Sequence, residues 1–405
     1  MGTPDTDAVP IDPSQLQPGV FVWLDMKWMD HPFLVNQFKI TQQGEIDKIL
    51  QHGIRKVSID TERGLDLQAD VVAQAAPLDL ELDLAPEFIA PEAAPQRIAL
   101  SDEMQVAKQV LAEASALMNN VLSDVRLGRM VELDRIEPVV ERMIQSVLRN
   151  PGALSCLGRV KQKDHYTFEH SVNVSVLMVN FCHHLGLNRR TTRDAAIGGL
   201  LHDVGKVHTP DEILNKTSAL TDAEFAQIRE HVGAGVDTVS AIPGISDLSL
   251  AIVAQHHEHM NGAGYPAGLQ GAQISQLGQM AAIVDVYEAL TSTRPYRNAM
   301  EPSQALQRIF SWNKQFNNEL VQRFIQCVGI YPVGTLVRLD SGMVAIVVEA
   351  NPANLLRPVV RVVLDTRRDL IVTPRDLNLA KPTIKDRIVS AESAARWKIN
   401  PGLYL

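Results

Sequence analysis

The stretch Leu200-Leu201-His202-Asp203-Val204-Gly205-Lys206 constrains this chain more than any other part of it. Ala195 to Leu201 is an apolar run that includes Gly198 and Gly199, and it reads as a buried helix. That helix ends on two adjacent metal-capable side chains, with a glycine and a lysine close behind. Buried charge is costly unless it is paired or bound to metal, so other groups must meet this helix end. A lone His-Asp dipeptide arises by chance in many chains. The reading therefore depends on what else the sequence supplies.

The supply lies in a helical stretch over residues 101–330. Ser101-Asp102-Glu103 is a good helix start, followed by apolar positions at Val106, Val110, Leu111, Ala114 and Leu117. Ile136 to Leu148 continues in the same style. Thr167 to Leu185, ended by Gly186, carries His170 in its first turn. Thr221 and Glu224 match a capping box. The helix they open carries His231, then Gly233 and Gly235, which permit close packing. Leu248 to His257 ends on His256-His257-Glu258, and a glycine-rich turn from Asn261 to Pro266 follows. Leu277 to Leu290 holds Asp285 in an otherwise apolar run, which Arg294-Pro295-Tyr296-Arg297 breaks.

The flanks are different in character. Residues 1–12 are polar and expected to be disordered. Residues 13–65 read as a small α/β module, with strands at Gly19–Leu24, Phe38–Ile40 and Lys56–Asp60 and a helix at Glu45–His52 closed by Gly53. Residues 66–100, rich in Ala, Pro and acidic residues, read as a linker. Residues 331–405 form a β-rich appendage. It has a hairpin at Thr335–Leu339 and Met343–Val348, strands at Val359–Leu364 and Leu370–Thr373, and a last helix at Ile388–Ile399. The expected class is mainly α, with a small α/β module before the helical domain and a β-rich one after it.

Composition narrows the partners. Thirty-eight basic against 47 acidic residues give a net charge of −9, which argues against polymeric nucleic acid. A small phosphorylated ligand in a locally basic pocket remains compatible with it. Cys156, Cys182 and Cys327 form no CxxC pair, so a reducing cytoplasm is the expected compartment. No signal peptide or membrane span is expected, because the longest apolar stretch, Val172–Phe181, is short and broken by Asn173 and Asn180.

His170, His202, Asp203, His231, His256, His257 and Asp285 all lie in or beside apolar helical segments, as does Lys206. Apart from Lys206 each can bind a metal. A nitrogen and oxygen donor set without cysteine suits iron, manganese or zinc. Five imidazoles and two carboxylates exceed the needs of one ion. A pair of ions about 3.5–4 Å apart fits the count, with Asp203 as the bridging carboxylate. Taken singly, His170 or His231 is more often a core or surface histidine, and Asp285 has even odds of being a hydrogen-bonded buried acid. His183-His184, at a helix end with no carboxylate nearby, act as a control and read as structural. His208 and His259 flank the motifs as outer residues, and His31 reads as a surface histidine. What favours a site is the arrival of the whole set, each member beside a helix end or glycine turn.

Together, His202-Asp203 with Gly205-Lys206, His231 with Gly233 and Gly235, His256-His257-Glu258, Gly264-Tyr265-Pro266, Asp285 and Arg294-Pro295-Tyr296 resemble the HD-GYP family. That family is a branch of the HD phosphohydrolases that hydrolyses cyclic di-GMP. The resemblance covers roughly residues 150–330, and residues 13–65 resemble the module often found before such domains. It implies that His170, His202, Asp203, His231, His256, His257 and Asp285 are metal ligands. It implies that Lys206 touches the scissile phosphate and that Arg294 and Arg297 touch substrate phosphates or guanine. It also implies that Gly264, Tyr265 and Pro266 form a loop for protein partners, including cyclic di-GMP synthases. Two divalent ions, iron or manganese, are the implied cofactors, and linear pGpG and then GMP the implied products.

Two positions depart from the family pattern. Tyr166 stands where some members have a glutamate for a third metal, which points to two ions, with Glu169 or His165 as alternatives. Asn261 stands where the family often has aspartate, so loop anchoring or partner choice is expected to differ. Two rivals remain open: a silent cyclic di-GMP binding module, which the complete ligand set disfavours, and an HD phosphohydrolase for another nucleotide.

Overall fold

The computed structural model describes residues 9–11, 13, 16–24, 37–51, 54, 57–59, 96–160, 166–214, 216, 218, 220–293 and 299–405. They fall into two compact units, one from residues 1–75 with 335–404 and the other from 76–334 with Leu405.

The first unit contains two antiparallel sheets. Strands β1 (Val9–Ile11), β2 (Phe21–Trp23), β3 (Gln37–Lys39) and β4 (Val57–Ile59) pair in the order β1-β4-β2-β3. Helix α1 (Gln43–Gln51) follows β3, and Ile46 and Ile49 join Val20, Val22, Ile40, Val57 and Ile59 in one small core. Residues 9–11, expected to be disordered, are instead held in the sheet by antiparallel pairing with β4. The expected closing Gly53 and the 66–95 part of the linker lie outside the described residues, as does His31.

The second sheet runs β8-β7-β6-β5-β9, from β5 (Leu336–Leu339), β6 (Met343–Glu349), β7 (Val359–Asp365), β8 (Leu370–Asn378) and β9 (Ile388–Ala391). The final helix expected at 388–399 is a correction. Ile388 and Ser390 are buried while Val389 and Ala391 are half-buried, the two-residue period of a strand. This segment pairs with β5. Helix survives only at Ala394–Trp397, where the buried Glu392 carboxylate accepts from the Trp397 indole.

The second unit is helical. Helix α2 (Leu100–Arg126) buries Ala107, Val110, Leu111, Ala114, Leu117, Met118 and Val121, the three-and-four spacing of one helix face. It packs on α3 (Leu133–Arg149), and Arg149 closes the pair by reaching the buried Glu103 at 2.6 and 2.7 Å. Helix α4 (Pro151–Val160) leads to α5 (Tyr166–His184) and α6 (Arg189–Leu201). Gly186 ends the former with φ +72, and Asn188 caps the latter.

Gly198 and Gly199 explain the glycine pair in α6. A Cβ on Gly199 would press on Ser175 of α5. One on Gly198 would press on Ile252 and the Ser249 carbonyl of α9 (Asp247–Gln255). The 3-10 turn Val204–His208 follows, then α7 (Asp211–Leu214) and α8 (Asp222–Ser240), which opens on the expected Thr221–Glu224 capping box. A Cβ on Gly205 would run into the His231 carbonyl and the Gly235 amide, so bare backbone there lets the turn meet α8 beside His231. Gly233, expected to help that packing, faces open space. Helices α10 (Gln276–Thr291), α11 (Pro302–Ser311) and α12 (Asn318–Val328) complete the unit. Among the described residues, no helix is long and apolar enough to cross a membrane.

Candidate metal centre

Five elements deliver the expected ligands to one place. His170 sits near the N-terminus of α5, just past its first turn, and His202 caps the C-terminus of α6, with Asp203 next to it. His231 lies inside α8, and His256 caps α9, followed by His257. Asp285 lies in mid-α10. Their donor atoms form two groups, His170, His202 and Asp285 in one and Asp203, His231, His256 and His257 in the other, each with all atoms within 4.8 Å of one another.

Asp203 joins the groups. Its Oδ2 lies 3.4 Å from His170 Nε2 and 3.3 Å from His202 Nε2. Its Oδ1 lies 3.3 Å from His231 Nε2 and 3.8 Å from His256 Nε2. Asp285 repeats the pattern, with Oδ1 at 3.0 Å from His170 Nε2 and Oδ2 at 3.8 Å from His257 Nδ1.

The backbone sets the tautomers. Nδ1 of His202, His231 and His256 approaches the carbonyls of Gly199, Ile228 and Val253 at 2.8, 2.6 and 2.9 Å. A carbonyl only accepts, so each Nδ1 carries a proton and each Nε2 is the atom turned inward. The inward atoms then face one another: His231 Nε2 is 3.5 Å from His256 Nε2, and Asp203 Oδ1 is buried with no hydrogen-bond partner among the described residues. Buried acceptors pointed at acceptors are costly unless a cation lies among them. The donor set thus fits two divalent ions with a carboxylate between them.

Charge agrees with that arrangement. Burial disfavours ionised Asp203 and Asp285. Lys206 and His202 beside the first, and His170 and His202 beside the second, still hold both well below the usual carboxylate range. Burial, with His257 and His202 adjacent, pushes His256 well below the ordinary histidine range, and burial takes His257 down to about 3. His170 is the exception. Burial opposes its charge, but the carboxylates of Glu288, Asp203 and Asp285 prevail and raise it well above the usual value.

Glu288 is the main site residue that sequence reasoning missed. It bonds His170 Nδ1, and its other oxygen accepts from Asn173 at 3.1 Å and Ser292 at 2.5 Å. Such a carboxylate behind a ligating imidazole fixes the ring and raises its basicity. The available signal was a second acid three residues after Asp285, on the same face of an apolar helix.

The remaining expected residues sort as follows. Lys206 Nζ lies 2.5 Å from Asp203 Oδ2, with its side chain partly exposed at the edge of the site. Tyr265, expected in a partner loop, packs its ring 4.6 Å from His257, so it belongs to the site wall. Gly264 admits no Cβ because the backbone of Glu258 and His259 crowds it. Glu258 anchors the loop by accepting from the amides of Ala267, Gly268 and Leu269 at 2.7, 3.1 and 3.0 Å. Asn261 accepts from the Ala263 amide, a local turn bond that needs no charge. His183 and His184 lie apart from both groups at the end of α5, His208 is exposed, and His259 meets Gln315. Arg294, Arg297, Tyr296, Pro295 and His165 lie outside the described residues, and Glu169 is in neither group.

Residues 138–320 match the HD domain, and residues 9–136 match a domain of unknown function (DUF3391). Packed helices ending on this histidine and aspartate cluster, with that match, define a metal-dependent HD phosphohydrolase. Over 387 residues the chain is 37% identical to the cyclic di-GMP phosphodiesterase PA4108 of Pseudomonas aeruginosa, covering 95% of this chain and 92% of the relative. The chain belongs to the HD-GYP family of cyclic di-GMP phosphodiesterases. Shorter stretches match two other proteins. The 3′3′-cGAMP-specific phosphodiesterase 1 of Vibrio cholerae is 39% identical over 36% of this chain and 34% of its own. A cyclic di-GMP phosphodiesterase of Thermotoga maritima is 31% identical over 40% of this chain and 45% of its own.

Proposed function

We propose that this protein hydrolyses cyclic di-GMP to linear pGpG and on to GMP, using two divalent ions, iron or manganese. The observation that carries the reading is the split of Asp203, one oxygen toward each histidine group. His170, His202, Asp285 and Asp203 Oδ2 would hold one ion, and His231, His256, His257 and Asp203 Oδ1 the other. Ions held there would supply a lowered pKa for an attacking water and countercharge for the phosphoryl oxygens.

The chain's own residues do the rest. The Nδ1 contacts of His202, His231 and His256 with backbone carbonyls keep the Nε2 atoms of those three rings turned inward. Lys206, a point cation beside Asp203, is placed to stabilise the phosphoryl oxygens. Arg294 and Arg297 are proposed contacts to the substrate's phosphates or guanine. The loop with Gly264, Tyr265 and Pro266 is proposed to dock cyclic di-GMP synthases as well as to wall the site. The cytoplasm is the proposed compartment.

The test is metal analysis of protein purified without air, coupled to chromatographic identification of products from cyclic di-GMP and 3′3′-cGAMP. Two ions per chain with pGpG and GMP as products support the reading. Turnover of 3′3′-cGAMP alone would move the substrate. Tight binding of cyclic di-GMP without turnover in any metal would make the protein a receptor.

A further inference from the structure

A ladder of stacked groups runs outward from His257. The Tyr265 ring lies 4.6 Å from the His257 ring with a 31° tilt. The Arg229 guanidinium sits 5.0 Å from the centre of the Tyr265 ring and 4.5 Å from that of Phe225. Arg229 and Phe225 are exposed on α8. Among the described residues, Arg229 has no ion pair and no hydrogen bond to a protein acceptor. Two rings therefore hold a guanidinium in place while its N–H donors remain unused.

A guanidinium seated over two ring faces, with no protein acceptor among the described residues, leaves its N–H groups open to a ligand, and they form a planar fork matched to two oxygens of a phosphate. Holding the cation against two rings before the ligand arrives reduces the ordering cost of binding. A cyclic dinucleotide carries two phosphodiesters in one ring. A substrate that presents one of them to the buried clusters would leave the other toward the side where His257 is 22% exposed. The same fork also matches O6 and N7 of guanine, but only the phosphate carries a charge to oppose the cation.

We propose that Arg229, oriented by Phe225 and Tyr265, binds the second, non-reacting phosphodiester of a cyclic dinucleotide substrate. This rests on the phosphodiesterase reading above and adds a substrate-binding residue to it. The experiment compares wild type, Arg229→Ala and Arg229→Lys on cyclic di-GMP and on bis(p-nitrophenyl) phosphate, which has no second phosphate. In Arg229→Ala the KM for cyclic di-GMP should rise about tenfold, the scale of a lost charge-assisted hydrogen bond. Its kcat should change far less, and kcat/KM for cyclic di-GMP should fall about tenfold relative to that for the small ester. KM should also become less sensitive to salt, and Arg229→Lys should recover part of the loss.

An unchanged KM overturns the proposal. So does a parallel fall on both substrates, which would mean that the ladder only supports His257. A raised KM with unchanged salt dependence assigns the fork to guanine and also overturns it. Wild-type protein that cleaves the small ester but not cyclic di-GMP refutes the dinucleotide reading itself, a separate result.

Discussion

The two ligand groups look alike in composition and differ in what stands behind them. In the group of His170, His202 and Asp285 all three side chains are buried, and His170 leans on the Glu288 carboxylate. In the group of His231, His256 and His257, two of the rings lean on neutral backbone carbonyls, and the third is partly exposed under Tyr265. The first group stores negative charge that needs a cation even without metal, and His170 meets that need by taking a proton. The second depends on Asp203 for its only carboxylate oxygen within the group. One site is thus electrostatically committed, while the other is geometrically prepared and accessible.

Asp203→Ala breaks the comparison outright, because it removes a ligand from both groups. Both ions should be lost and phosphodiester turnover should fall by more than about 10³-fold, beyond the loss of a single electrostatic donor. Metal analysis alongside activity checks this, and full turnover with metal retained would refute the bridge. His170→Ala and His257→Ala then separate the groups. Removing His170 strands Glu288 as a buried charge, so metal-free protein should lose about 3–5 kcal/mol of stability. His257→Ala strands no carboxylate in this way, so it should release metal with a much smaller change in the denaturant midpoint.

Much of this was legible in the sequence, for reasons that particular residues make plain. His202-Asp203 after a glycine-rich apolar run, and His256-His257 at the end of another, announce polar groups at buried helix ends. Thr221 and Glu224 announce a helix start by local chemistry alone, and the capping box is present. Glu288 was not legible because its task, holding His170, exists only once α10 lies against α5. Tyr265 reads only as part of a partner loop because nothing local reveals that its ring folds back onto His257. The last helix failed for a similar reason. Ile388 to Ala391 has few local signals, and β5 supplies the partner that makes it a strand.

Glu288→Gln sharpens the contrast at a smaller scale. The amide keeps the shape but not the charge, so affinity should fall about 10–100-fold at the first group only. The wild type should also show a proton linkage there. His170 is held protonated above the ordinary histidine range, and metal must displace that proton. Affinity should therefore rise with pH, about tenfold per unit while one proton is released. In Glu288→Gln one of the carboxylates that raise His170 is gone, and this dependence should shift to lower pH. Titrations with Mn(II) at several pH values, read at each site, check both points. A pH-independent affinity in the wild type would contradict the charge difference between the groups.

Thr221→Ala should have the smallest effect and should touch only the second group's scaffold. Thr221 Oγ1 accepts from the Glu224 amide at 3.3 Å, and the Glu224 carboxylate accepts from the Thr221 amide at 2.7 Å and from Lys216 at 2.6 Å. Lys216 and Thr221 hold that carboxyl down to about 2. Its contribution to stability is therefore complete above the ordinary glutamate value of 4.5 and is lost as pH falls toward about 2. Removing the hydroxyl should cost about 1 kcal/mol and lower the midpoint of thermal unfolding by roughly 2–4 °C. The box opens α8 well before His231, whose ring is held by the Ile228 carbonyl and whose backbone packs closely on Gly205. Metal stoichiometry should hence stay at two ions per chain. Loss of the second ion in this variant would mean that the second group depends on the whole length of α8, and the preparation argued for it would not be local.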